Sequence, residues 1–291
     1  MTPLLEVQDL SVTFPMRRGI CRAVRNISFS LGRERLGIVG ESGSGKSVTG
    51  RAILRLIRKP GQIRARAVRL EGMDLLTLSE RQMRRIRGHR ISMIMQDPTY
   101  SLNPVMRVGD QISEAYRLHT RSSRAGARKK TLAMLERVLI RDPERVYRAY
   151  PHELSGGMGQ RVMIAMMLIP DPQILIADEP TSALDVTVQK EVLELMDTLV
   201  RERGMGLIFI SHDLNVVSAF CDRVLIMYNG RVVEVCRADR LHRATHPYTV
   251  GLLNSMPKLT QPVDELAVPE RDDAWDSEAE DIGRRDEEAI P

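Results

Sequence analysis

Short apolar runs alternate with helical patterns along this chain, and such alternation is typical of a parallel sheet with helices on its faces. Residues 36–40, 174–177 and 207–210 are continuously apolar, as strands covered on both faces are. Between the last two runs, apolar side chains recur at helical spacing, at Val188, Val192, Leu195 and Leu199. The pattern therefore predicts a strand, a helix and a strand in succession, and an α/β fold.

Two other segments have the pattern of antiparallel strands. Residues 26–31 alternate polar and apolar side chains with period 2, as a half-buried antiparallel strand does. Residues 224–228 and 231–235 flank Asn229 and Gly230, a pair that favours the tight primed turn of a hairpin. We therefore expect antiparallel structure beside the parallel sheet.

Strand patterns are absent from the sequence between residues 96 and 160. Within it, residues 131–140 place four apolar side chains on one helical face, namely Leu132, Leu135, Val138 and Leu139. We predict a helical insertion over about residues 97–159.

From residue 261 the chain is rich in Asp, Glu and Pro with a single aromatic residue, Trp275, and we predict a disordered tail over 261–291.

Composition excludes several classes of protein. The chain has 291 residues, of which 43% are hydrophobic, and this is enough apolar material for a folded core. The longest apolar run, residues 162–169, is far shorter than the roughly 20 residues that cross a bilayer, and no leader pattern opens the sequence. The three cysteines are too few and too widely spaced for a disulfide framework or a paired-cysteine metal site. We expect a soluble protein of a reducing, cytosolic compartment.

Charge is distributed unevenly along the chain. Residues 261–291 contain twelve acidic residues and three arginines, so the overall charge of +5 leaves +14 on residues 1–260. A basic body suits nucleic acid, an anionic membrane surface or phosphorylated ligands, and it is equally compatible with a merely solvated surface.

Residues 40–47 carry the first chemical motif. They read Gly-Glu-Ser-Gly-Ser-Gly-Lys-Ser, which matches GxxxxGK[ST] between a predicted buried strand and a predicted helix. Such a loop curls its backbone N–H groups around phosphates at a helix N-terminus, while its lysine reaches the β and γ phosphates and its last hydroxyl binds Mg²⁺. The predicted phosphate-binding residues are Gly40, Glu41, Ser42, Gly43, Ser44, Gly45, Lys46 and Ser47.

A carboxylate pair completes this chemistry. Asp178 and Glu179 follow the apolar strand 174–177. Asp178 is predicted to hold the Mg²⁺ shell, and Glu179 is predicted to position or deprotonate the attacking water.

Residues 154–161 and 178–185 resemble the signature sequence and D-loop of the ATP-binding-cassette (ABC) ATPases. The first reads Leu-Ser-Gly-Gly-Met-Gly-Gln-Arg and the second Asp-Glu-Pro-Thr-Ser-Ala-Leu-Asp. Independently of the name, Ser155, Gly156 and Gly157 lead into an apolar helix, so they predict a second helix N-terminus suited to an anion. The resemblance implies that two cassettes pack head to tail, and that each signature closes over the γ-phosphate held by the other.

The resemblance also implies roles for four further residues, by their place in the motifs. Gln96, after residues 91–95, matches the Q-loop glutamine that approaches Mg²⁺ and water. His212 matches the switch histidine at the γ-phosphate, and Asp185 matches the D-loop aspartate at the dimer seam. Phe14 stands where the family commonly has the aromatic residue that stacks on adenine, and a plain core position is the competing interpretation. The implied fold is a P-loop NTPase with a RecA-like, mostly parallel sheet, an antiparallel β subdomain and the inserted helical subdomain, together forming an ABC ATPase domain over 1–260.

Three segments resemble one subfamily of the ABC ATPases in particular, the ATPase subunits of bacterial dipeptide, oligopeptide and nickel importers. They are residues 39–49, residues 96–104 and the segment His-Pro-Tyr-Thr-Val-Gly-Leu-Leu at 246–253. Many members of the peptide branch carry a cysteine cluster after this last segment, whereas no cysteine follows Cys236 here. We expect ATP and Mg²⁺ as ligands, and because the cysteines are absent we expect no iron–sulfur cluster. The absence of the cysteine cluster also makes peptides a weaker prediction for the transported solute and nickel or metal chelates a stronger one.

The resemblance implies a motor on the cytoplasmic face of the bacterial inner membrane, peripheral to it. Its direct partners would be two permease subunits and a second ABC ATPase, which is either identical or homologous to this chain. A periplasmic solute-binding protein would be an indirect partner, and nucleic acid would not be a partner. A soluble ABC ATPase of DNA repair or translation is the alternative, although such relatives usually fuse two cassettes or interrupt one. A P-loop kinase would share the phosphate loop but has no use for the signature.

Overall fold

The computed structural model describes residues 3–17, 19–95, 101–182 and 184–255. The strands are β1 (Leu5–Met16), β2 (Gly19–Leu31), β3 (Arg35–Val39), β4 (Gln62–Arg64), β5 (Ala67–Leu70), β6 (Met73–Asp74), β7 (Ile91–Ile94), β8 (Ile174–Asp178), β9 (Gly206–Ser211), β10 (Arg223–Tyr228) and β11 (Arg231–Arg237). The α-helices within the described residues are α1 (Lys46–Ile53), α2 (Glu80–Ile86), α3 (Val108–His119), α4 (Arg124–Arg137), α5 (Pro143–Arg148), α6 (Gly156–Leu168), α7 (Val186–Arg203), α8 (Leu214–Phe220) and α9 (Pro247–Asn254). The described residues divide into two compact units: unit one comprises those within 1–77 and from 209 onward, and unit two those within 78–208. The second boundary falls within β9.

An antiparallel sheet forms the first part of unit one. Its strands lie in the order β2, β1, β5 and β6, and β4 also pairs with β1. Leu5 of β1 is opposite both Leu31 and Leu70, and all three side chains are fully buried. The predicted antiparallel strand at 26–31 is thus confirmed, and it is longer than predicted because β1 pairs along the whole of β2.

The second part of unit one contains three adjacent strands, with β10 between β3 and β11. β3 pairs in parallel with β10, and β10 pairs antiparallel with β11. Asn229 and Gly230 between the latter have φ of 44° and 81°, the left-handed conformation that the primed turn requires. The predicted buried strand, hairpin and turn are therefore all confirmed.

Unit two combines parallel strands with a set of helices. β7 and β8 pair in parallel, from Ile91 opposite Ile174 to Ile94 opposite Ala177, and these side chains are fully buried. Helices α3, α4 and α5 pack on one another, as expected for the segment without strand patterns. The extent of the helical insertion, residues 97–159, stays a prediction, and the predicted tail at 261–291 lies outside the described residues.

The apolar helical face predicted over residues 131–140 is wrong at Leu139. α4 ends at Arg137, and Leu139 adopts φ of 60° with more than half of its side chain exposed. The amides of Leu139 and Ile140 donate to the carbonyls of Glu136 and Leu135, which closes the helix with a left-handed residue. Leu139 is therefore a helix-terminating residue, and the face is filled by Met134 instead.

Cys21 and Cys221, both in unit one, differ in exposure, and their reactivity tests how unit one is packed. Cys21 is exposed, whereas Cys221 lies beside Gly37 and burial raises the pKa of its thiol to about 12. Because the thiolate is the reactive form, we expect an alkylating reagent at about pH 8.5 to modify Cys21 in the native protein and Cys221 only after unfolding. Mass spectrometry of the labelled peptides measures this. A Cys21→Ser variant should lose the fast reaction, and native labelling of Cys221 at the rate of Cys21 would contradict the packing.

No helix in the described parts of the chain is both long and apolar enough to cross a membrane.

Candidate functional site

The phosphate loop connects β3 to α1 in unit one, as the sequence predicts. Gly40, Gly43 and Gly45 have φ of 155°, 85° and 100°, which other residues rarely adopt. A Cβ atom on Gly40 would lie 2.1 Å from the carbonyl oxygen of Met227, and one on Gly45 would lie 2.3 Å from that of Ala23. The loop therefore needs glycine at positions 40 and 45 both for its curvature and for its close contact with the neighbouring backbone, and at position 43 for its curvature alone.

Lys46 lies on the loop itself. Its side chain is buried, and its ammonium group donates to the carbonyl oxygens of Gly40 at 2.7 Å and Glu41 at 2.8 Å. Gly45 is the N-cap residue of α1 and has no side chain with which to cap the helix. The positive end of the helix and the ammonium group thus lie at the same loop, which is the arrangement that an anionic phosphate requires.

Two segments far away in the sequence support the loop from outside. The amide of Gly230, in the β10–β11 hairpin, donates to the carbonyl of Ser44 at 3.1 Å. The amide of Glu41 donates to the hydroxyl of Tyr248, in α9, at 3.0 Å. Sequence reasoning missed both contacts, and it treated the segment that contains Tyr248 only as a marker of the subfamily. The contact joins residues 207 positions apart, so no local pattern signals it.

The remaining predicted residues of unit one are His212 and Phe14. His212 is exposed and lies between β9 and α8, directly after the end of a buried strand. Phe14 is half-buried in β1, opposite Cys21 of β2, and its ring lies beside Gly61. Their roles as switch histidine and adenine-stacking residue stay predictions. Gln96 lies outside the described residues.

Asp178 and Glu179 lie at the end of β8 in unit two. Asp178 is fully buried, and Glu179 is half-buried with φ of 47°, a left-handed conformation that is unusual for a residue with a side chain. The amide and hydroxyl of Ser182 both donate to the carbonyl of Glu179, at 3.4 and 3.2 Å. The catalytic role of Glu179 stays a prediction.

The signature residues form the exposed N-terminus of α6. Ser155 is the N-cap, and its hydroxyl accepts from the amide of Met158 at a long 3.4 Å. Ser155 and Gly156 are exposed, whereas Gly157 packs so closely on α7 that a Cβ atom there would lie 2.8 Å from Val188. The predicted second helix N-terminus is thus present at the surface of unit two, open to a ligand or to another molecule.

Within unit two, a hydrogen bond connects helix α6 to the segment that directly follows β8. The buried side-chain amide of Gln160 in α6 donates to the carbonyl of Pro180, the residue after Glu179. Asp185 caps α7, accepting from the amides of Thr187 at 3.1 Å and Val188 at 3.0 Å, and its side chain is exposed. Sequence reasoning gave Gln160 no role, although it stands in the signature segment.

The residues predicted for Mg²⁺ carry suitable donor atoms. The hydroxyl of Ser47, in unit one, and the carboxylate of Asp178, in unit two, are each hard oxygen ligands of the kind that Mg²⁺ prefers. The loop before Lys46 keeps its curled form because glycine at positions 40 and 45 avoids a collision with the backbone of Met227 and Ala23. These features define a P-loop nucleotide-binding protein.

Comparison with known proteins identifies the family. The family model described as ABC transporter matches residues 24–182. The oligopeptide transport ATP-binding protein OppD of Bacillus subtilis is 49% identical over 274 residues, covering 92% of this chain and 76% of that protein. The protein of the same name from Salmonella typhimurium is 48% identical over 269 residues, covering 91% and 80%. The chain belongs to the ABC transporter family.

A solved structure gives the same result for the fold. The dimeric structure of MJ0796, described as a bacterial ABC transporter cassette, superposes with a TM-score of 0.72 at 27% identity, covering 80% of this chain and 98% of that one. The predicted P-loop α/β fold is therefore confirmed, and the chain is an ATPase of the ABC transporter type. The roles of the individual site residues stay predictions.

Proposed function

We propose that this chain is the ATP-hydrolysing subunit of a bacterial peptide importer. The observation that carries the proposal is its identity of 48–49%, over most of its length, to proteins named as oligopeptide transport ATP-binding proteins. The glycine loop with its buried lysine and the exposed, serine-capped signature helix support ATP hydrolysis as the energy source.

Each site residue has its own role in ATP binding or hydrolysis in this proposal. The loop amides and Lys46 bind and orient the phosphates of ATP, and the exposed His212 contacts the γ-phosphate. Ser47, Asp178 and Gln96 would hold Mg²⁺, which neutralises phosphate charge when it is bound. Glu179 accepts the proton of the attacking water. The ring of Phe14 stacks on adenine.

Hydrolysis requires a second cassette in this proposal. Ser155 and the N-terminus of α6 are exposed within their own unit, so they are available to a nucleotide that another subunit holds. MJ0796, which shares the fold, forms a dimer, and a second structure of it is a dimer bound to ADP and Pi. ATP then joins two subunits, with Asp185 at their seam, and hydrolysis lets them separate.

The choice of peptide over nickel rests on the relatives. The missing cysteine cluster moved the sequence-based expectation toward nickel or metal chelates, but the relatives described above are named for peptides and none for nickel. These relatives do not favour a role in DNA repair or translation, and the +14 charge of the body suits anionic lipid headgroups as well as nucleic acid. The absence of an iron–sulfur cluster stays a prediction.

Location and partners follow from the importer proposal. The chain lies on the cytoplasmic face of the inner membrane, peripheral to it, on two permease subunits. A second ABC ATPase, identical or homologous, completes the nucleotide sites, and a periplasmic solute-binding protein delivers the peptide. Substrate choice then belongs to the permease and the binding protein, whereas this chain supplies free energy.

Uptake in a deletion strain tests the solute. We expect that a strain without this gene takes up a labelled oligopeptide no better than background but takes up radioactive nickel normally. The wild-type gene should restore peptide uptake, and Lys46→Ala should not, because the loop loses its buried ammonium group. Lys129→Ala, which changes an exposed lysine of α4, is the matched control and should restore uptake fully. Loss of nickel uptake with normal peptide uptake would contradict the proposal.

A further inference from the structure

One peptide group of the phosphate loop is held at both of its ends. The carbonyl of Gly40 and the amide of Glu41 belong to the same planar trans peptide, so they point in opposite directions. The carbonyl accepts from the Lys46 ammonium group at 2.7 Å, and the amide donates to the Tyr248 hydroxyl at 3.0 Å. The rotation of this peptide about the loop axis is therefore determined by two side chains, one from within the motif and one from outside it.

Tyr248 is itself held rigidly. It is the second residue of α9, whose N-cap His246 accepts from the Tyr248 amide through Nδ1 at 3.2 Å. The side chain is fully buried, and its ring lies against the ring of Tyr228 with a centroid distance of 4.6 Å and an interplanar angle of 47°. Packing thus fixes the ring, and the fixed ring places the hydroxyl at the amide of Glu41.

The orientation of this peptide matters for the nucleotide. Lys46 is bound through the carbonyl oxygens of Gly40 and Glu41, so a turn of the peptide between them would move the ammonium group that is expected to meet the phosphates. Residue 40 is a glycine, and because glycine has no Cβ atom the backbone has unusual freedom to turn at this point. A fixed acceptor on the amide of Glu41 removes that freedom before the ligand binds, and preorganisation of this kind lowers the cost of binding.

We propose that Tyr248 is a positioning residue for nucleotide binding, whose hydroxyl holds the Gly40–Glu41 peptide and through it the phosphate loop and Lys46. The inference rests on the ATP-binding role of this chain and is independent of the solute and of the direction of transport. It assigns a task in nucleotide binding to Tyr248, which lies beyond the residues that the family model matches.

Removing one hydroxyl group tests the proposal. Tyr248→Phe keeps the ring and its packing against Tyr228 but leaves the Glu41 amide without this acceptor. We expect Kd for MgATP and for MgADP to rise roughly three- to tenfold, the range that corresponds to one hydrogen bond. Calorimetric titration of the full chain measures both constants, and the unfolding temperature without nucleotide is recorded for each variant.

The matched control removes a neighbouring buried hydroxyl. Thr249 follows Tyr248 in α9, is fully buried, and its hydroxyl makes no hydrogen bond within the described residues. Thr249→Val should leave both dissociation constants at the wild-type values. A wild-type Kd in folded Tyr248→Phe would overturn the proposal, and so would equal increases of Kd in the two variants, because that result would indicate a general effect of altered packing in α9.

Amide hydrogen exchange tests the same bond without a substitution. In the nucleotide-free wild-type chain, the Glu41 amide should exchange much more slowly than in an unstructured peptide, although the loop is partly exposed. In Tyr248→Phe its exchange should accelerate, whereas the Gly230 amide, which donates to Ser44, should keep its rate. Unprotected exchange of Glu41 in the wild type would overturn the proposal even if Tyr248→Phe failed to fold.

Discussion

Glu179→Gln is expected to lower ATP hydrolysis by about a hundredfold or more while leaving the affinity for ATP unchanged. Glutamine has the shape of glutamate but cannot accept the proton of the attacking water. The phosphate loop and Lys46 belong to the other compact unit and are not altered by the change. Because bound ATP is no longer consumed, the variant should also accumulate as a closed dimer when ATP is present.

Three measurements on one preparation check this expectation. Phosphate release gives the rate, calorimetric titration gives Kd, and analytical ultracentrifugation with and without MgATP gives the dimer. Glu194→Gln is the matched control, because Glu194 is an exposed carboxylate of α7 whose ion pair with Lys190, at 3.9 Å, is worth little. The control should resemble the wild type in all three measurements. Rapid turnover in Glu179→Gln would reject Glu179 as the catalytic carboxylate.

Features carried by neighbouring residues could be predicted from the sequence. The phosphate loop was predicted from residues 40–47 because a strand, a glycine turn and a helix are contiguous in the chain, and β3 and α1 flank it as expected. The hairpin turn was predicted because Asn229 and Gly230 tolerate positive φ, which both adopt. In each case the residues that determine the conformation lie within a few positions of one another.

Features that depend on distant residues could not be predicted. The acceptor for the Glu41 amide comes from Tyr248, and the pattern around neither residue indicates the other. Leu139 has the spacing of a helical face, but α4 ends before it, and its amide and that of Ile140 close the helix. Hydrophobic spacing reports which side chains are apolar, whereas hydrogen bonds at the last turn decide where a helix ends.

Ser155→Arg is expected to abolish hydrolysis without preventing nucleotide binding. Ser155 is exposed at the N-terminus of α6, so arginine there adds bulk and removes the hydroxyl without filling the core of its own unit. The phosphate loop that binds the nucleotide is carried by the other unit of the chain. We expect a decrease of at least about a hundredfold, comparable to the loss of one transition-state donor, with Kd for ATP close to the wild-type value. Phosphate release and calorimetric titration measure the two quantities.

A mixing experiment then shows whether the site is shared between subunits. Ser155→Arg has an intact phosphate loop and Lys46→Ala has an intact signature, so each variant alone should be inactive. If two copies of this chain form the dimer, random mixing should restore about a quarter of the sites, because half of the dimers are mixed and each mixed dimer has one intact composite site. If a homologous ATPase is the partner, Ser155→Arg should silence the partner's nucleotide site and leave the site on this chain's own phosphate loop active. Wild-type hydrolysis in Ser155→Arg would instead show that the signature helix does not touch the reacting phosphate, and each chain would then have to hydrolyse ATP alone.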